Sequence, residues 1–205
     1  MNKVLILDTG IANLASLSGA LKSIDIDFEI ITKADRKHMD FSHVILPGVG
    51  AFDRGCKAIQ ESGLNEVIFK SIEFGKPVLG ICLGMQLLCS SSAESSVNLK
   101  GLEIFDISVK KLVKPLNGFW PKIGWSSVDI IQETPLTKNI PNGEDFYFIH
   151  GYYAELNTNT IGTSNFSSKY ASMIQLENTY GVQFHPEKSQ KNGLIMLKNF
   201  CELTS

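Results

Sequence analysis

Apolar residues in the first third of the chain arrive in two rhythms. Val4-Leu5-Ile6-Leu7 is a short unbroken run between Lys3 and Asp8, which predicts a buried strand over 3–8. Leu14, Leu17, Leu21 and Ile24 then recur at the spacing of one helical face. Apolar runs over 28–31 and 43–46 predict two further strands. Helical stretches follow over 53–62 and 64–74, the second with Leu64, Val67, Ile68 and Ile72 on one side, and 77–81 predicts a fourth strand. Strands alternating with helices in this way imply a parallel sheet covered on both faces.

The pattern changes beyond residue 83. A helix begins near Leu83, the polar run 90–98 reads as a loop, and 102–113 is rich in β-forming residues. Strand-like pieces follow at 146–150, 152–156, 170–176 and 180–184. Turn residues separate the pieces of this half, among them Pro115, Asn117-Gly118, Pro135 and Pro141-Asn142-Gly143. The tail 189–203 is helical, with Leu194, Leu197 and Cys201 on one face. Neither an internal repeat nor a long linker divides the chain. The expectation is a single α/β domain over residues 1–205, with a mostly parallel central sheet flanked by helices and an additional antiparallel portion.

Composition narrows what such a domain can do. Nineteen Lys and Arg against 21 Asp and Glu leave a formal charge of -2 and no basic block to neutralise a run of phosphates, which argues against nucleic acid. The longest apolar stretch, 77–89, contains Gln86 and is shorter than the roughly 20 residues that cross a bilayer. The apolar run after Met1-Asn2-Lys3 stops at Asp8, too early for a secretory signal. A cytoplasmic chain without a membrane partner is expected. Its cysteines, Cys56, Cys82, Cys89 and Cys201, form no C-x-x-C pair and are expected as free thiols.

In doubly wound sheets, ligands sit beyond the C-terminal ends of the strands. The residues there are Asp8-Thr9-Gly10, Pro47-Gly48-Val49-Gly50 and Gly80-Ile81-Cys82-Leu83-Gly84. The last has the form G-x-C-x-G between strand and helix, an elbow that strains the central residue and needs small neighbours. Cys82 then stands at a helix N-terminus, whose partial positive charge favours a thiolate. The plainer reading is a small buried residue among Ile, Leu and Met, as most cysteines are. A thiolate nucleophile needs a base and a group that orients it. His185-Pro186-Glu187 supplies both, because residues i and i+2 of an extended segment point the same way and Pro186 stiffens the link.

Gly48-Val49-Gly50 lacks the remaining spacing of a dinucleotide or phosphate loop. It suits an oxyanion loop better, with backbone N–H groups turned toward a developing negative charge and the Leu83 N–H as second donor. The single Asp8-Thr9-Gly10 has no second copy, which two-carboxylate protease chemistry would require. No closely spaced ligand set suggests a metal, and no cofactor is implied. His38 and His43 have no partner in sequence and read as structural or exposed, while Cys56, Cys89 and Cys201 lack such an elbow and read as small buried residues. A generic cysteine hydrolase and a non-catalytic module of the same fold stay open on residue patterns alone.

Taken together, Asp8-Thr9-Gly10-Ile11-Ala12-Asn13-Leu14, Pro47-Gly48-Val49-Gly50-Ala51-Phe52, Gly80 through Leu88, Phe148-Ile149-His150-Gly151-Tyr152-Tyr153 and Gly181 through Ser189 resemble the class I glutamine amidotransferases. Within that class they are most similar to the glutaminase subunits of imidazole glycerol phosphate synthase, and the motifs run in family order along essentially the whole chain. The resemblance implies hydrolysis of glutamine to glutamate and ammonia by Cys82, His185 and Glu187. It also implies that Gln86 and the backbone around Gly50, Leu83, His150, Gly151 and Tyr152 hold the substrate. The implied partner is a β/α-barrel cyclase subunit that receives the ammonia within histidine biosynthesis, and Asn13 and Lys188 match interface positions. The chain departs from the family at Thr9 and Ala12, where D-Y-G-x-G-N is usual, and at Pro121-Lys122-Ile123-Gly124-Trp125-Ser126, where P-H-M-G-W-N is usual. These departures lie toward the partner side, so a paralogue that feeds ammonia to sugar amidation in surface polysaccharide synthesis is the alternative.

Overall fold

A computed structural model describes residues 3–34, 41–114 and 119–204. His38 and the expected turn at Pro115 and Asn117-Gly118 lie outside the described residues. The first half contains β1 (Val4–Leu7), α1 (Leu14–Ser23), β2 (Phe28–Ile31), β3 (His43–Gly48), α2 (Phe52–Ser62), α3 (Leu64–Glu73), β4 (Val78–Cys82) and the short α4 (Leu83–Leu88). There follow β5 (Cys89–Ser92), β6 (Phe105–Lys111), β7 (Lys122–Ser127), β8 (Asp129–Ile130), β9 (Asp145–His150), β10 (Tyr152–Ala154), β11 (Thr160–Asn165), β12 (Lys169–Leu176), β13 (Thr179–Val182) and α5 (Gln190–Cys201).

Strands β2, β1, β3, β4 and β13 lie side by side in that order, all parallel. Alternation along these strands sorts their side chains into two layers. Val4, Ile6, Ile45, Leu79 and Ile81 point to the face covered by Leu17 and Leu21 of α1 and Met196, Leu197 and Phe200 of α5. Leu5, Leu7, Val44, Leu46 and Val78 point to the opposite face, where Phe52, Cys56 and Ile59 of α2, Leu64 and Ile68 of α3, and Leu83 and Leu87 of α4 cover them. Burial on both sides explains why β1, β3 and β4 read as nearly continuous apolar runs. The sheet continues antiparallel through β12, β10 and β6, while β7 and β9 pair as a separate ribbon.

Three features differ from the sequence expectation. The polar run after Cys89 is not wholly a loop: β5 pairs in parallel with β6 at the sheet edge. There the Ser90 hydroxyl donates to the Phe105 carbonyl at 2.9 Å, so serines satisfy an edge strand as well as a loop. Strands β7 and β11 carry sequences, KIGWSS and TIGTSN, too polar to announce themselves. Thr160, Thr163 and Ser164 of β11 are nonetheless buried, and Gly162 lies against Met173 of β12. The helix after Cys82 is a single short segment that turns directly into β5.

α4 lies unusually close to the sheet. A Cβ on Gly84 would overlap the Leu46 carbonyl of β3, and one on Gly80 would come within 2.7 Å of the Met85 nitrogen. These glycines are therefore contact surfaces, and added methyl groups here force a backbone shift. Gly84→Ala is expected to lower the unfolding free energy by about 2–3 kcal/mol, read as a reduced midpoint in urea with an unchanged slope.

Candidate active site

The chain leaves β1 for β2 on one side and returns to β3 on the other, which opens a crevice at the C-terminal ends of the parallel strands. Cys82 is the last residue of β4 and sits beside that crevice, with Gly48 its register partner on β3. Its backbone has φ 54 and ψ -109, a region that non-glycine residues rarely occupy. The close contacts of Gly80 and Gly84 impose this conformation, because a strand can pass into a helix so abruptly only without side chains at those points. The elbow expected from G-x-C-x-G is present.

The Cys82 thiol lies 3.8 Å from the Ile149 carbonyl and receives a contact from the Gln183 side-chain amide at 3.7 Å. The other three cysteines are also buried and, like Cys82, form no disulfide. Burial pushes the Cys56 thiol up to about 11 and those of Cys89 and Cys201 to about 12, so these three stay protonated at neutral pH.

His185 follows β13, and its backbone N–H donates to the Tyr147 carbonyl of β9 at 2.9 Å. The pairing with Glu187 arises differently from the expected extended alternation. Residues Pro186–Lys188 form a 3-10 turn that curls the Glu187 carboxylate back to the His185 ring, with Nδ1 and Oε1 2.8 Å apart. Both side chains are buried. Pro186 is buried in the turn, and Gly193 of α5 packs against its carbonyl so tightly that a Cβ would overlap it. Ser189 locks the turn from behind: its hydroxyl donates to the His185 carbonyl at 2.7 Å and accepts from the Tyr147 N–H at 3.0 Å.

Burial alone would lower the pKa of His185, but a negative charge on Cys82 and the Glu187 carboxylate outweigh it and hold the ring well above the usual histidine range. Nε2 of the ring is buried and closes no full hydrogen bond, which leaves it free to exchange a proton with the sulfur. Such a unit, a thiol, an imidazole and an orienting carboxylate, can carry out nucleophilic acyl transfer.

A pocket of about 350 Å³ opens over Cys82, lined by Asn13, Val49, Gly50, Leu83, Gln86, Glu94, Ile149, His150, Gly151, Tyr152 and Lys188. Most of the residues singled out in the sequence therefore meet here. Gly48 lies just beneath, within 3.1–3.4 Å of Leu83 and Gly84 by its would-be Cβ. Gln86 donates through Nε2 to the Tyr152 carbonyl and to Gln183 Oε1, each at 3.0 Å. Both its N–H bonds are thus used, and its oxygen is left to accept from a ligand. Asn13 caps α1 by accepting from the Ser16 N–H at 3.3 Å and borders the pocket as well. Lys188 extends over the Tyr147 ring at 5.9 Å. The Val49 N–H, expected to face a developing oxyanion, instead donates to the Ile11 carbonyl at 2.7 Å.

Gln183, Ser189 and Glu94 escaped the sequence reading. Glu94 belongs to the serine-rich segment read as a loop. Its Oε2 accepts from the Phe52 N–H at the start of α2 at 2.8 Å, and burial pushes its pKa up. Nothing in its local sequence distinguishes it from a solvated glutamate. His43 is held in the core, its ring nitrogens on Ser42 and on the Leu203 carbonyl. Among the described residues no group of three or more His, Cys, Asp or Glu is placed to hold a metal ion, and no helix is long and apolar enough to cross a membrane.

Known proteins resemble the chain from end to end. Imidazole glycerol phosphate synthase subunit HisH 1 of Parasynechococcus marenigrum is 40% identical over 211 residues, covering 100% of both chains. Imidazole glycerol phosphate synthase subunit HisH of Pyrococcus furiosus is 43% identical, over 99% of this chain and 100% of the relative. The solved structure of PurLQS from Thermotoga maritima superposes with a TM-score of 0.75 at 17% identity, covering 97% of each chain, a likeness of fold. The family model for glutamine amidotransferase class-I matches residues 5–203, and the chain belongs to that family.

Proposed function

We propose that this chain is the glutaminase subunit of a cytoplasmic imidazole glycerol phosphate synthase, hydrolysing glutamine and passing the ammonia to a separate β/α-barrel cyclase subunit. The observation that carries the reading is the buried His185–Glu187 pair at 2.8 Å beside an elbow cysteine, at the floor of a pocket of amino-acid size. The end-to-end identity of 40–43% with relatives of that name supports the pathway.

In this reading the Cys82 thiolate adds to the side-chain carbonyl carbon of glutamine, and the His185 imidazolium gives its proton to the departing nitrogen, which leaves as ammonia. Water, deprotonated by His185, then attacks the thioester and frees glutamate and the thiol. Glu187 holds the Nδ1–H tautomer and stabilises the imidazolium throughout. The Gln86 oxygen accepts a hydrogen bond from the substrate. Glu94 is the carboxylate lining the pocket, and its Oε1, left over from the Phe52 contact, suits the α-ammonium of an amino acid. The oxyanion falls to the Leu83 N–H, which as the first residue of α4 has no partner inside the helix, and to the Val49 N–H once it leaves Ile11.

That last condition links the chemistry to the partner. Ile123, Trp125 and Ile149 are exposed on one face of the β7–β9 ribbon, in register as Ile123 opposite Ile149 and Trp125 opposite Tyr147. Ile149 also lines the pocket, so a protein seated on this apolar face touches the site. Asn13 and Lys188 lie on the same rim and are assigned to that interface.

Three outcomes are expected. Cys82→Ala abolishes ammonia release from glutamine while circular dichroism and partner binding stay unchanged; residual turnover would sink the reading. Glu94→Gln raises KM for glutamine roughly tenfold with little change in kcat, the loss of one charge-assisted contact. Adding the cyclase subunit to the isolated chain raises glutamine turnover by about a hundredfold or more, the worth of one oxyanion donor; equal turnover with and without it would contradict the role given to Val49.

A further inference from the structure

Lys122, one of the departures from the family pattern, is buried at the start of β7. Its ammonium donates to Tyr170 Oη of β12 at 2.8 Å and to the Asn165 carbonyl at 3.4 Å. It also faces the rings of Phe148, Tyr170 and Phe166 at 4.2, 5.2 and 5.9 Å. Among the described residues no carboxylate pairs with it. A buried ammonium held by a phenol, a carbonyl and ring faces is costly to desolvate, and as a stability device an apolar residue would serve better. Its contacts lead elsewhere.

Tyr170 Oη lies 3.3 Å from His150 Nε2, and His150 Nδ1 lies 2.8 Å from the Tyr152 carbonyl. A carbonyl only accepts, so Nδ1 carries the proton, Nε2 accepts from the Tyr170 hydroxyl, and the phenol oxygen accepts from Lys122. The Tyr152 carbonyl also takes the Gln86 amide, Gln86 donates on to Gln183 Oε1, and the Gln183 amide reaches the Cys82 sulfur. Every hydrogen bond in this chain has one permitted direction: the ammonium only donates at one end, and the Tyr152 carbonyl only accepts where the His150 ring and the Gln86 amide meet.

We propose that Lys122 is a positioning residue for glutamine turnover, acting through Tyr170 and His150 to fix the Tyr152 carbonyl and the side-chain amides of Gln86 and Gln183 against the substrate and Cys82. The proposal rests on the glutaminase reading. Burial drives the Lys122 pKa down to about 8, and burial first, then the charges of Lys122 and His185, drives that of His150 to about 3. His150 is therefore neutral throughout the working range, while Lys122 loses its proton just above it. The titratable groups around the ammonium are Tyr170 on β12, His150 on β9 and, stacked on Tyr170, Tyr153 on β10.

The test measures kcat/KM for glutamine against pH in the complex with the cyclase subunit, for wild type, Lys122→Met, Tyr170→Phe and the double variant. Wild type is expected to lose activity along an alkaline limb centred near the Lys122 pKa. Lys122→Met is expected to be roughly tenfold slower at pH 7 and to lack that limb, while melting no lower than wild type. The sign follows from linkage: a depressed lysine pKa penalises the folded state below about pH 8, and the penalty fades as pH rises toward the unfolded value. Tyr170→Phe keeps the ring and removes the relay, so it should reproduce the loss, and the double variant should be no slower than either single one. If Lys122→Met does not fold, Tyr170→Phe alone carries the comparison of profiles. Variant profiles that superimpose on wild type, or losses that multiply in the double variant, overturn the positioning role. Wild type that fails to turn over glutamine overturns the glutaminase reading and this role with it, a result distinct from active but indifferent variants.

Discussion

The closeness of α4 to strands β3 and β4 governs the rest of the structure. Two glycines allow a helix backbone to rest almost directly on the strands, and the residue between them absorbs the turn with φ 54. The strain at Cys82 persists because the surroundings over-determine it: Leu46, Met85 and the apolar layer beneath α4 leave no alternative path for the chain. Once the elbow is fixed, the thiol projects from the C-terminal edge of the sheet, and the loops after β3, β9 and β13 close around it. The placement of the other site residues follows from that edge.

Much of this was legible in the sequence, for a physical reason. The inner parallel strands β1, β3 and β4 are buried on both faces, so their composition had to be almost wholly apolar, and the helices between them had to carry one apolar stripe. The elbow was legible because steric exclusion demands glycine at two fixed positions. The second half was harder to read. β11 is buried yet built from Thr, Gly, Ser and Asn, because it packs on β12 through small side chains and meets β8 through backbone. β5 is an edge strand whose serines make strand-like and loop-like bonds equally well. Neither pattern carries the period-2 signal that a half-buried strand with large apolar residues would show.

The site divides in the same way. Cys82, His185 and Glu187 were legible as a set because their chemistry restricts residue type and spacing, although the pairing of the last two comes from a 3-10 turn and not from an extended segment. Glu94, Gln183 and Ser189 were not legible. Each acts through a contact with a residue distant in sequence: Glu94 with Phe52, Gln183 with Cys82 and Gln86, Ser189 with Tyr147. Spacing along one chain holds no information about such contacts. The Val49 N–H illustrates the converse case: the loop type was readable, but the direction of one peptide depended on the Ile11 carbonyl across the crevice.

The electrostatics of the pocket close the account. His150 lines the pocket over the thiol, and the charge on His185 lowers the tendency of His150 to carry one of its own. Only one imidazolium can be sustained there, and the environments decide which. His185 is held up against its burial by the negative charge on Cys82 and by the Glu187 carboxylate at 2.8 Å; His150 is held down chiefly by burial, to which the Lys122 and His185 charges add, while its bond to the Tyr152 carbonyl opposes them. A positive charge placed behind His150 thus has the same effect as a negative charge placed behind His185: both direct the proton to the histidine that faces a departing amine. Because both imidazoles are buried and their charges poorly screened, assigning protonation states from behind leaves the front of the pocket free for neutral donors and acceptors that can recognise an uncharged amide.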